Sequence, residues 1–424
     1  MTSAPLDPSL VPPAVRDADV EALAEQFGTP LFLYDEGELR RRCRAYVAAF
    51  GADRVAYASK AFLCTAMAQL VAEEGLHLDV ATGGELHVAV HAGFPPGRLV
   101  VHGNNKSDDE LDAALAAGSG RIVADSFDEL DRLEQRSTAL GVTPTVLVRT
   151  TPGVEAHTHE YIETGTEDSK FGFTVTGGIA RDAARRVAAS AALRFGGLHC
   201  HIGSQIQRLD PWGHAVAALA AVAAELDAPV HELSLGGGLG ARYLAEDPPL
   251  EIDDYAAALR AAVEGHWPAR LASPELLVEP GRSIAAPCAV TLYRVGTVKE
   301  IPGVGTYVAV DGGMSDNPRP VLYGAGYEAY LPDRVAEARP LRCRVVGKHC
   351  EQGDVIVADA ALPAGVGPGD LLATPATGAY GYSMASNYNK VPRPAVVFLR
   401  GGEARVVVRR ETFDDLVRLD VVGD

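Results

Sequence analysis

A repeating alternation of short apolar runs and Ala-rich amphipathic stretches constrains the fold of this chain more than any other feature. Each repeat consists of a β-branched apolar run, a polar or Gly-containing turn and a helical stretch, which is the βα unit. The apolar runs cover residues 54–58, 76–80, 99–102, 121–124, 145–149, 193–199, 230–235 and 275–279. Eight βα units predict a TIM barrel, although a doubly wound open sheet produces a similar alternation.

Helix-start signals support this interpretation. Ser107 and Glu110 have the spacing of a capping box at the start of the helical stretch 107–117. Ser126 and Glu129 repeat that spacing before the stretch 126–140. In such a box the serine and the glutamate each bind a backbone N–H of the other's residue, so we expect a helix at both positions.

The positions of polar residues favour the barrel over the open sheet. Catalytic groups of a TIM barrel come from the carboxyl ends of several strands, whereas those of an open sheet gather at one switch point. Here polar residues or glycines follow nearly all of the apolar runs: Lys60, Asp79, His102, Asn104, Asn105, Asp125, Arg149, His201, Gly236, Gly237, Gly238, Glu279 and Arg282.

A different pattern begins near residue 283, where strands alternate without intervening helices. They are predicted at 289–301, 306–311, 341–346, 354–358, 371–373 and 395–409, the last with a hairpin turn at Gly401-Gly402. The stretch 30–34 is also a predicted strand and can pair with this second domain. The predicted domains are therefore an N-terminal segment (1–36) packing with the β domain, an α/β (β/α)8 barrel (37–283) and an all-β domain (284–424).

Charge and composition exclude several classes of protein. The net charge is −18, which argues against nucleic-acid and anionic-membrane partners. Residues 1–17 have no signal-peptide pattern, and no later stretch has the roughly 18 apolar residues that a membrane span needs. We therefore expect a cytoplasmic protein. Its six scattered cysteines predict reduced thiols rather than disulfides or a zinc site.

Three features of the predicted barrel point to a phosphate-bearing cofactor. Lys60 ends the first run in an apolar setting, and burial lowers the pKa of a lysine and favours Schiff-base chemistry. The triglycine 236–238 follows the seventh run, where TIM barrels bind phosphate through loop amides. Glu279 ends the eighth run and needs a cation, for which the protonated pyridine nitrogen of pyridoxal phosphate is suitable. The alternatives are a solvated lysine, a loose turn, and an ion pair of Glu279 with Arg149 or Arg282.

Two His-x-His pairs allow a competing interpretation. His199 and His201 share one face of a strand, and His157 and His159 have the same spacing. Such pairs hold metal ions in barrel hydrolases. The second pair lies in a segment without a strand pattern, so inward-facing ligands are not implied there. The remaining alternative is hydrogen-bonded or stacked histidines.

The predicted β domain carries three further candidates. Cys350 lies in a polar loop beside Lys348 and His349, which suits a titrating thiol, whereas Cys343 in the preceding strand is expected in the core. Arg319 lies in a rigid turn suited to bidentate binding of a carboxylate, or else is a solvated surface residue. Tyr380 lies in a Gly-rich loop, where an aromatic ring more often packs than takes part in catalysis.

Taken together, these motifs resemble the diaminopimelate decarboxylases, fold-type III pyridoxal-phosphate enzymes related to ornithine and arginine decarboxylases. The resemblance extends over nearly the whole chain beyond residue 30. The matching segments are 57–61 (YASKA), 167–172 (EDSKFG), 201–205 (HIGSQ), 279–282 (EPGR), 314–319 (MSDNPR), 350–354 (CEQGD) and 386–389 (SNYN). Gln352, where the family often has Ser, and Cys200 depart from the family pattern without affecting an expected role.

The resemblance implies pyridoxal 5'-phosphate as cofactor and a role for each matched residue. Lys60 holds the cofactor covalently, His201 stacks on its ring and Glu279 pairs with its ring nitrogen. The phosphate is held by Ser204, Gly236, Gly237, Gly238, Gly281, Arg282 and Tyr380. Substrate contacts come from Arg282, Arg319, Tyr323, Glu351 and Tyr380. In a head-to-tail homodimer, Cys350 and Glu351 reach the site from the partner chain.

The reaction that the resemblance implies is decarboxylation of the amino acid meso-2,6-diaminopimelate to L-lysine and CO2. A second carboxylate on the substrate requires a cation such as Arg319, whereas an ornithine or lysine decarboxylase would place an acidic group there. The alternatives are a sister decarboxylase acting on another carboxylated amino acid, a TIM-barrel metal hydrolase, or a catalytically silent binding protein.

Overall fold

A computed structural model describes residues 5–154 and 168–421 of the chain. The described residues form two compact units. The barrel unit comprises the described residues of 42–240 and 250–282, and the β unit comprises those of 1–41, 241–249 and 283–424. The stretch 241–249 thus groups with the β unit, although it lies inside the range 37–283 that the sequence assigned to the barrel.

The strands of the described residues are, in chain order, β1 (Leu31–Asp35), β2 (Ala56–Ala58), β3 (His77–Val80), β4 (Leu99–Val101), β5 (Arg121–Ala124), β6 (Thr145–Thr151), β7 (Phe173–Thr174), β8 (Arg194–His199), β9 (Glu232–Ser234), β10 (Glu275–Leu277), β11 (Ala289–Ile301), β12 (Gly305–Val310), β13 (Leu341–Val346), β14 (Val355–Leu362), β15 (Leu371–Pro375), β16 (Ala395–Arg400) and β17 (Glu403–Val408).

The α-helices are α1 (Pro13–Arg16), α2 (Val20–Phe27), α3 (Glu36–Phe50), α4 (Thr65–Glu73), α5 (Gly83–His91), α6 (Asp108–Ala117), α7 (Phe127–Leu140), α8 (Ile179–Ala189), α9 (Asp210–Ala224), α10 (Ile252–His266), α11 (Arg282–Ala285), α12 (Arg319–Tyr323) and α13 (Phe413–Val417). Among the described residues, no helix combines the length and the apolar character that a membrane crossing requires.

The barrel unit contains all eight predicted strands as one parallel sheet in the order β10-β9-β8-β6-β5-β4-β3-β2. A parallel bridge between Val55 and Val278 joins the two ends of this order. The Ala56 amide also donates to the Val278 carbonyl at 2.9 Å. This closure confirms the (β/α)8 barrel over the open sheet.

Small and β-branched side chains fill the inside of the barrel. Ala56, Val100, Val123 and Leu147, from β2, β4, β5 and β6, form one buried cluster. Apolar side chains that point inward from parallel strands produce the layered packing of such barrels. The barrel is therefore a packed core, and its polar chemistry lies where the strands end.

The two predicted capping boxes differ in the structure. Ser107 and Glu110 bind each other's backbone N–H groups, as the sequence predicts. Ser126 accepts the Glu129 amide, but the Glu129 carboxylate does not return to Ser126. It binds the buried Lys106 ammonium at 2.7 Å and the Asp125 amide at 3.3 Å instead. The second box is thus only half formed, because a buried ammonium group is a stronger partner for a carboxylate than an amide at a helix end.

The β unit is a mixed sheet in the order β14-β13-β12-β11-β1-β16-β17, with β15 paired to β11. The N-terminal strand β1 runs antiparallel to β11 and parallel to β16, which confirms that the N-terminal strand joins the β domain. Strands β16 and β17 pair as the predicted hairpin, whose turn contains Gly401 and Gly402. An apolar cluster that includes Leu31, Val290 and Val397 forms the core of this unit.

Candidate active site

A buried carboxylate lies at the carboxyl end of the barrel strands. Glu279 follows β10, and its Oε1 accepts a hydrogen bond from the Ser234 hydroxyl at 2.9 Å. Its Oε2 lies 3.1 Å from His199 Nε2 and 3.4 Å from His102 Nε2. Because an ionised carboxylate only accepts hydrogen bonds, the His199 nitrogen that faces it carries a proton.

The charge of this carboxylate is retained while the nearest imidazole is neutral. Burial opposes ionisation of Glu279, but His199 and His102 hold its pKa well below the usual range. Burial lowers the pKa of His199 to about 4. At neutral pH, the neutral His199 N–H and the Ser234 hydroxyl therefore face a negative charge, and a buried negative charge is most stable beside a cation.

Neither arginine that the sequence offered as a partner forms an ion pair with Glu279. Arg149 Nε lies 3.8 Å from Asp125 Oδ2, and the Arg149 guanidinium packs 4.2 Å from the centre of the Phe171 ring. Arg282 binds the Ser204 hydroxyl instead. Among the described residues, the partners of the Glu279 carboxylate are thus a serine and histidines.

The triglycine loop lies against the polypeptide around His201. The Gly237 amide donates to His201 Nδ1 at 3.2 Å. A Cβ on Gly236, where φ is +64°, would lie 2.6 Å from the Cys200 carbonyl oxygen, and one on Gly237 would lie 2.4 Å from the Glu279 carbonyl oxygen. Only glycine allows this approach, which places loop amides beside both His201 and Glu279.

The half-buried His201 ring is neutral. Burial and the charge of Lys60 hold the pKa of His201 well below its usual value. Since its Nδ1 accepts the Gly237 amide, the orientation of the ring is fixed. A neutral, oriented imidazole is suited to stack on an aromatic ring.

An anion-binding pair lies near these loops. The Arg282 guanidinium donates to the Ser204 hydroxyl from Nε at 3.1 Å and from Nη2 at 2.9 Å. Gly281 packs against the end of β2, where an added Cβ would lie 3.0 Å from Ala58 Cβ and from Ala61 Cβ. The structure therefore brings a guanidinium, a hydroxyl and glycine backbone together, which are the groups that bind phosphate.

Lys60 lies in the turn Ser59–Ala61 directly after β2. Its positive charge lowers the pKa of Asp79 and of His201, which places the amine near both residues. Burial outweighs that effect at Asp79 and raises its pKa to about 6. The prediction that Lys60 is partly buried is wrong, because the residue is exposed at the end of the strand.

These residues fit pyridoxal phosphate by the chemistry of their donors and acceptors. Among the described residues the Glu279 carboxylate has no lysine or arginine partner, the His201 ring is neutral, and the Lys60 amine is exposed at the end of a strand. The pair Arg282–Ser204 and the triglycine backbone suit a phosphate dianion. A protonated pyridine nitrogen would give the carboxylate a cationic partner.

Of the two predicted histidine pairs, the structure describes only His199 and His201. His157 and His159 lie outside the described residues, and His199 and His201 diverge, towards Glu279 and Gly237 respectively. His199, His102 and Glu279 do present donor atoms within 4.8 Å of one another, close enough to hold an ion. The His-x-His spacing itself therefore gives no metal centre in the part of the chain that the structure describes.

In the β unit, Arg319 is buried among tyrosines. Its guanidinium packs 4.3 Å from the Tyr243 ring centre, and Nη1 donates to the Tyr327 hydroxyl. Within the described chain, Nε has no hydrogen-bond partner. Arg319 starts α12, and Tyr323 ends it. A buried guanidinium with an unused N–H is suited to bind a carboxylate, and the surface alternative for Arg319 is excluded.

The remaining predicted residues lie on loops of the β unit. All six cysteines are free thiols, and Cys350 is exposed, whereas Cys343 is buried as predicted. The Cys350 amide donates to Asn389 Oδ1 at 3.3 Å, and Glu351 Oε2 accepts the Tyr388 hydroxyl at 3.0 Å. The half-buried Tyr380 has a φ of +60°. Burial lowers the pKa of Arg319, but Tyr243, Tyr327 and, to a smaller extent, Tyr380 together raise it.

Several residues of these clusters were missed or left without a role. His102 ends an apolar run and Ser234 lies within one, so their positions could be predicted but not their common partner, Glu279. Tyr243 lies in a stretch without periodicity and gave no signal. Asn389 belongs to a matched segment to which the sequence assigned no task.

The comparisons with known proteins agree with this geometry. Residues 36–286 match the family model for the pyridoxal-binding domain of pyridoxal-dependent decarboxylases. The chain is 52% identical over 413 residues to the diaminopimelate decarboxylase of Mycobacterium bovis, covering 94% of this chain and 92% of that protein. It is 48% identical over 426 residues to that of Bacillus subtilis, covering 96% and 94%.

A solved structure has a similar fold. The crystal structure of diaminopimelate decarboxylase from M. jannaschii in complex with L-lysine superposes with a TM-score of 0.88 at 33% identity. The match covers 96% of this chain and 95% of that one. It therefore includes both the barrel strands and the strands of the β unit.

Proposed function

Because the chain belongs to the diaminopimelate decarboxylases within the pyridoxal-dependent decarboxylase family, we propose that it converts meso-2,6-diaminopimelate to L-lysine and CO2, the last step of lysine biosynthesis. The strongest support for the proposal is the buried, ionised Glu279, which accepts hydrogen bonds from the neutral side chains of His199 and Ser234. This arrangement stabilises a protonated pyridine nitrogen. When bound, pyridoxal phosphate supplies the sink for the electrons of the broken Cα–carboxylate bond.

The barrel residues bind and orient the cofactor. Lys60 provides the amine that attaches it, and the neutral His201 ring packs on its face. Glu279 accepts a hydrogen bond from the ring nitrogen and keeps that nitrogen protonated. Arg282, Ser204, Gly281 and the amides of residues 236–238 would bind the phosphate, together with Tyr380 of the β unit.

Residues of the β unit select the substrate. Arg319 binds the distal carboxylate through its unpartnered Nε–H, while the tyrosines hold its guanidinium in place. Tyr323, Tyr380 and Glu351 of the β unit and Arg282 of the barrel unit contribute further contacts. A substrate without the second carboxylate leaves this buried cation uncompensated, which favours diaminopimelate over lysine or ornithine.

After CO2 leaves, the proton at Cα would come from the exposed Cys350 thiol, from Lys60 or from a water between them. We propose that the chain acts as a head-to-tail homodimer, in which Cys350 and Glu351 of one copy serve the site of the other. The exposure of Cys350 in the single chain supports this proposal, because an exposed thiol is available to a second copy. The cytoplasmic location stays a prediction from sequence.

Borohydride reduction of the purified protein, followed by peptide mapping, tests the cofactor assignment. We expect a pyridoxyl adduct on Lys60 and stoichiometric CO2 release from meso-2,6-diaminopimelate before reduction. An adduct on another lysine, or none, contradicts the assignment. The Lys60→Ala variant is the matched control, which loses the adduct but keeps its fold by circular dichroism.

Two measurements separate the alternative functions. A panel of carboxylated amino acids distinguishes diaminopimelate from the substrate of a sister decarboxylase. Metal analysis of the active protein tests the cluster His102, His199 and Glu279 as an ion site. Activity that depends on a bound metal, with no pyridoxal absorbance, would favour the hydrolase.

A further inference from the structure

We propose that Asn389 is a positioning residue, whose side-chain oxygen anchors the turn that carries Cys350 and Glu351. The proposal rests on the proposed function, because that function places both residues in the active site. It assigns a role to the matched segment 386–389, which the sequence left without one.

One oxygen atom of Asn389 accepts hydrogen bonds from two successive residues. Asn389 Oδ1 lies 3.3 Å from the Cys350 amide nitrogen and 3.2 Å from His349 Nδ1. A backbone N–H can only donate, so the Asn389 atom that faces it is the oxygen and not the nitrogen. A carbonyl oxygen has two lone pairs, and the turn uses both.

The same oxygen places a hydrogen on His349 Nδ1, because Oδ1 is an acceptor. The other ring nitrogen, Nε2, lies 2.8 Å from the Ser315 hydroxyl and forms a hydrogen bond with it. The buried His349 ring thus connects the loop of Ser315 to the loop of Asn389, with its own turn between them.

Residues near Asn389 make further contacts with the turn that carries Cys350 and Glu351. The Tyr388 hydroxyl donates to Glu351 Oε2 at 3.0 Å, and the Tyr388 and His349 ring centres are 5.3 Å apart. The Ser386 amide donates to the Ser315 carbonyl at 2.9 Å. On the other side of the turn, Asp354 Oδ2 accepts the His349 amide at 2.8 Å. The backbone of Cys350 and the carboxylate of Glu351 are therefore both held from the segment 386–389.

A backbone role for Asn389 is the competing explanation. Its φ is +51°, in the left-handed region that asparagine, aspartate and glycine adopt most readily. Two substitutions separate the explanations. Asn389→Gly permits the backbone conformation and removes the acceptor, whereas Asn389→Asp permits the conformation and keeps an acceptor oxygen.

Hydrogen exchange of the holoenzyme, measured by mass spectrometry on the peptide that contains residues 348–353, tests the anchor without reference to activity. We expect this peptide of Asn389→Gly to exchange about tenfold faster, the factor that corresponds to one lost hydrogen bond. Asn389→Asp returns the rate towards that of the wild type. In the same variants, kcat falls with Asn389→Gly more than KM rises, and recovers with Asn389→Asp, while cofactor absorbance is unchanged.

Tyr307→Phe is the matched control, because the Tyr307 hydroxyl of β12 contacts Arg344 at 3.3 Å and no residue of the turn. It leaves exchange and kcat as in the wild type. If the peptide of residues 348–353 exchanges at the wild-type rate in Asn389→Gly, the anchor is overturned. If the peptide exchanges faster in that variant while kcat is unchanged, the positioning role is overturned. If Asn389→Gly exchanges faster than the wild type but the wild type releases no CO2 from diaminopimelate, the proposed function is overturned and the anchor is not.

Discussion

The barrel unit and the β unit hold their candidate functional residues in different ways. In the barrel unit, His199, Ser234 and Glu279 come from the ends of strands that the parallel sheet brings together. All three are buried, and His199 and Ser234 both hydrogen-bond to Glu279. In the β unit, Cys350 lies on a loop whose geometry depends on Asn389, a residue distant in the chain. The first arrangement follows from the architecture of the sheet, whereas the second depends on individual side chains.

This difference indicates which property a substitution in each unit should affect. A barrel strand end tolerates little change because its polar groups are buried together and an orphaned charge is costly. Arg319, the first residue of the short helix α12, is held by side chains around it, so its loss affects binding more than folding. Substitutions in the barrel unit should therefore act on the cofactor or on stability, and those in the β unit on the substrate.

The largest expected effect is that of Lys60→Ala in the barrel unit. We expect kcat/KM for diaminopimelate to fall by more than about 10³-fold, because the amine that attaches the cofactor is lost. Decarboxylation assays and the absorbance of bound cofactor measure this. Lys299→Ala, an exposed lysine of β11, is the control and should match the wild type.

A substitution of Glu129 tests the buried polar groups of the barrel unit. Lys106 binds Glu129 at 2.7 Å, and the side chains of both are nearly inaccessible to solvent. We expect Glu129→Ala to lower the free energy of unfolding by about 3–5 kcal/mol, because an uncompensated charge stays buried. In the β unit, Glu337→Ala breaks an exposed pair with Arg334 and should cost far less, because solvent screens an exposed ion pair. Urea unfolding compares them, and equal losses would contradict the comparison.

Arg319→Ala should separate substrate binding from cofactor binding. We expect KM for diaminopimelate to rise about 10²-fold, which corresponds to the loss of a charged hydrogen bond. Cofactor absorbance stays at the wild-type level. Arg319→Lys keeps the charge without the planar fork and should recover part of the affinity. Unchanged kinetics in the alanine variant would remove Arg319 from the site.

Acid should destabilise the barrel unit through His199. Burial lowers the pKa of His199 from 6.5 to about 4, so below pH 6.5 the unfolded chain binds a proton that the folded chain does not. The contribution of His199 to stability is present above pH 6.5 and is lost as pH falls towards 4. From pH 7 to pH 5 we expect a loss of about 2 kcal/mol from this residue. His199→Gln, which keeps an N–H donor, should reduce that dependence in urea unfolding, and an unchanged pH dependence would exclude His199 as its source.

The smallest expected effect concerns two complete capping boxes. Ser107→Ala removes the cap of α6, whose buried residues pack in the barrel unit, and should cost about 1 kcal/mol of global stability. Thr412→Ala removes the cap of α13, which has no buried residues. It should leave the midpoint of global unfolding unchanged. A comparable loss in both variants would show that the cap acts independently of packing.

The sequence predicted the fold well because its signals are local. All eight barrel runs contain strands, and the Gly401-Gly402 hairpin lies where its turn residues indicate. The sequence was less informative about contacts between side chains that are distant along the chain. It missed Ser234 as a partner of Glu279, and it assumed that Glu129 returns to its helix cap. The Glu129 carboxylate instead binds the buried Lys106 ammonium, a contact that no spacing rule predicts.

The sequence by itself determined which residues can carry the chemistry and the order of the secondary structure, since periodicity and turn residues act over short distances. Only the tertiary structure decided which side chains contact one another. It placed Tyr243 beside Arg319 and Asn389 beside Cys350, and it left Glu279 charged and His199 neutral. The physical reason is that burial and long-range contacts set hydrogen bonding and ionisation, and both depend on segments that are distant along the chain.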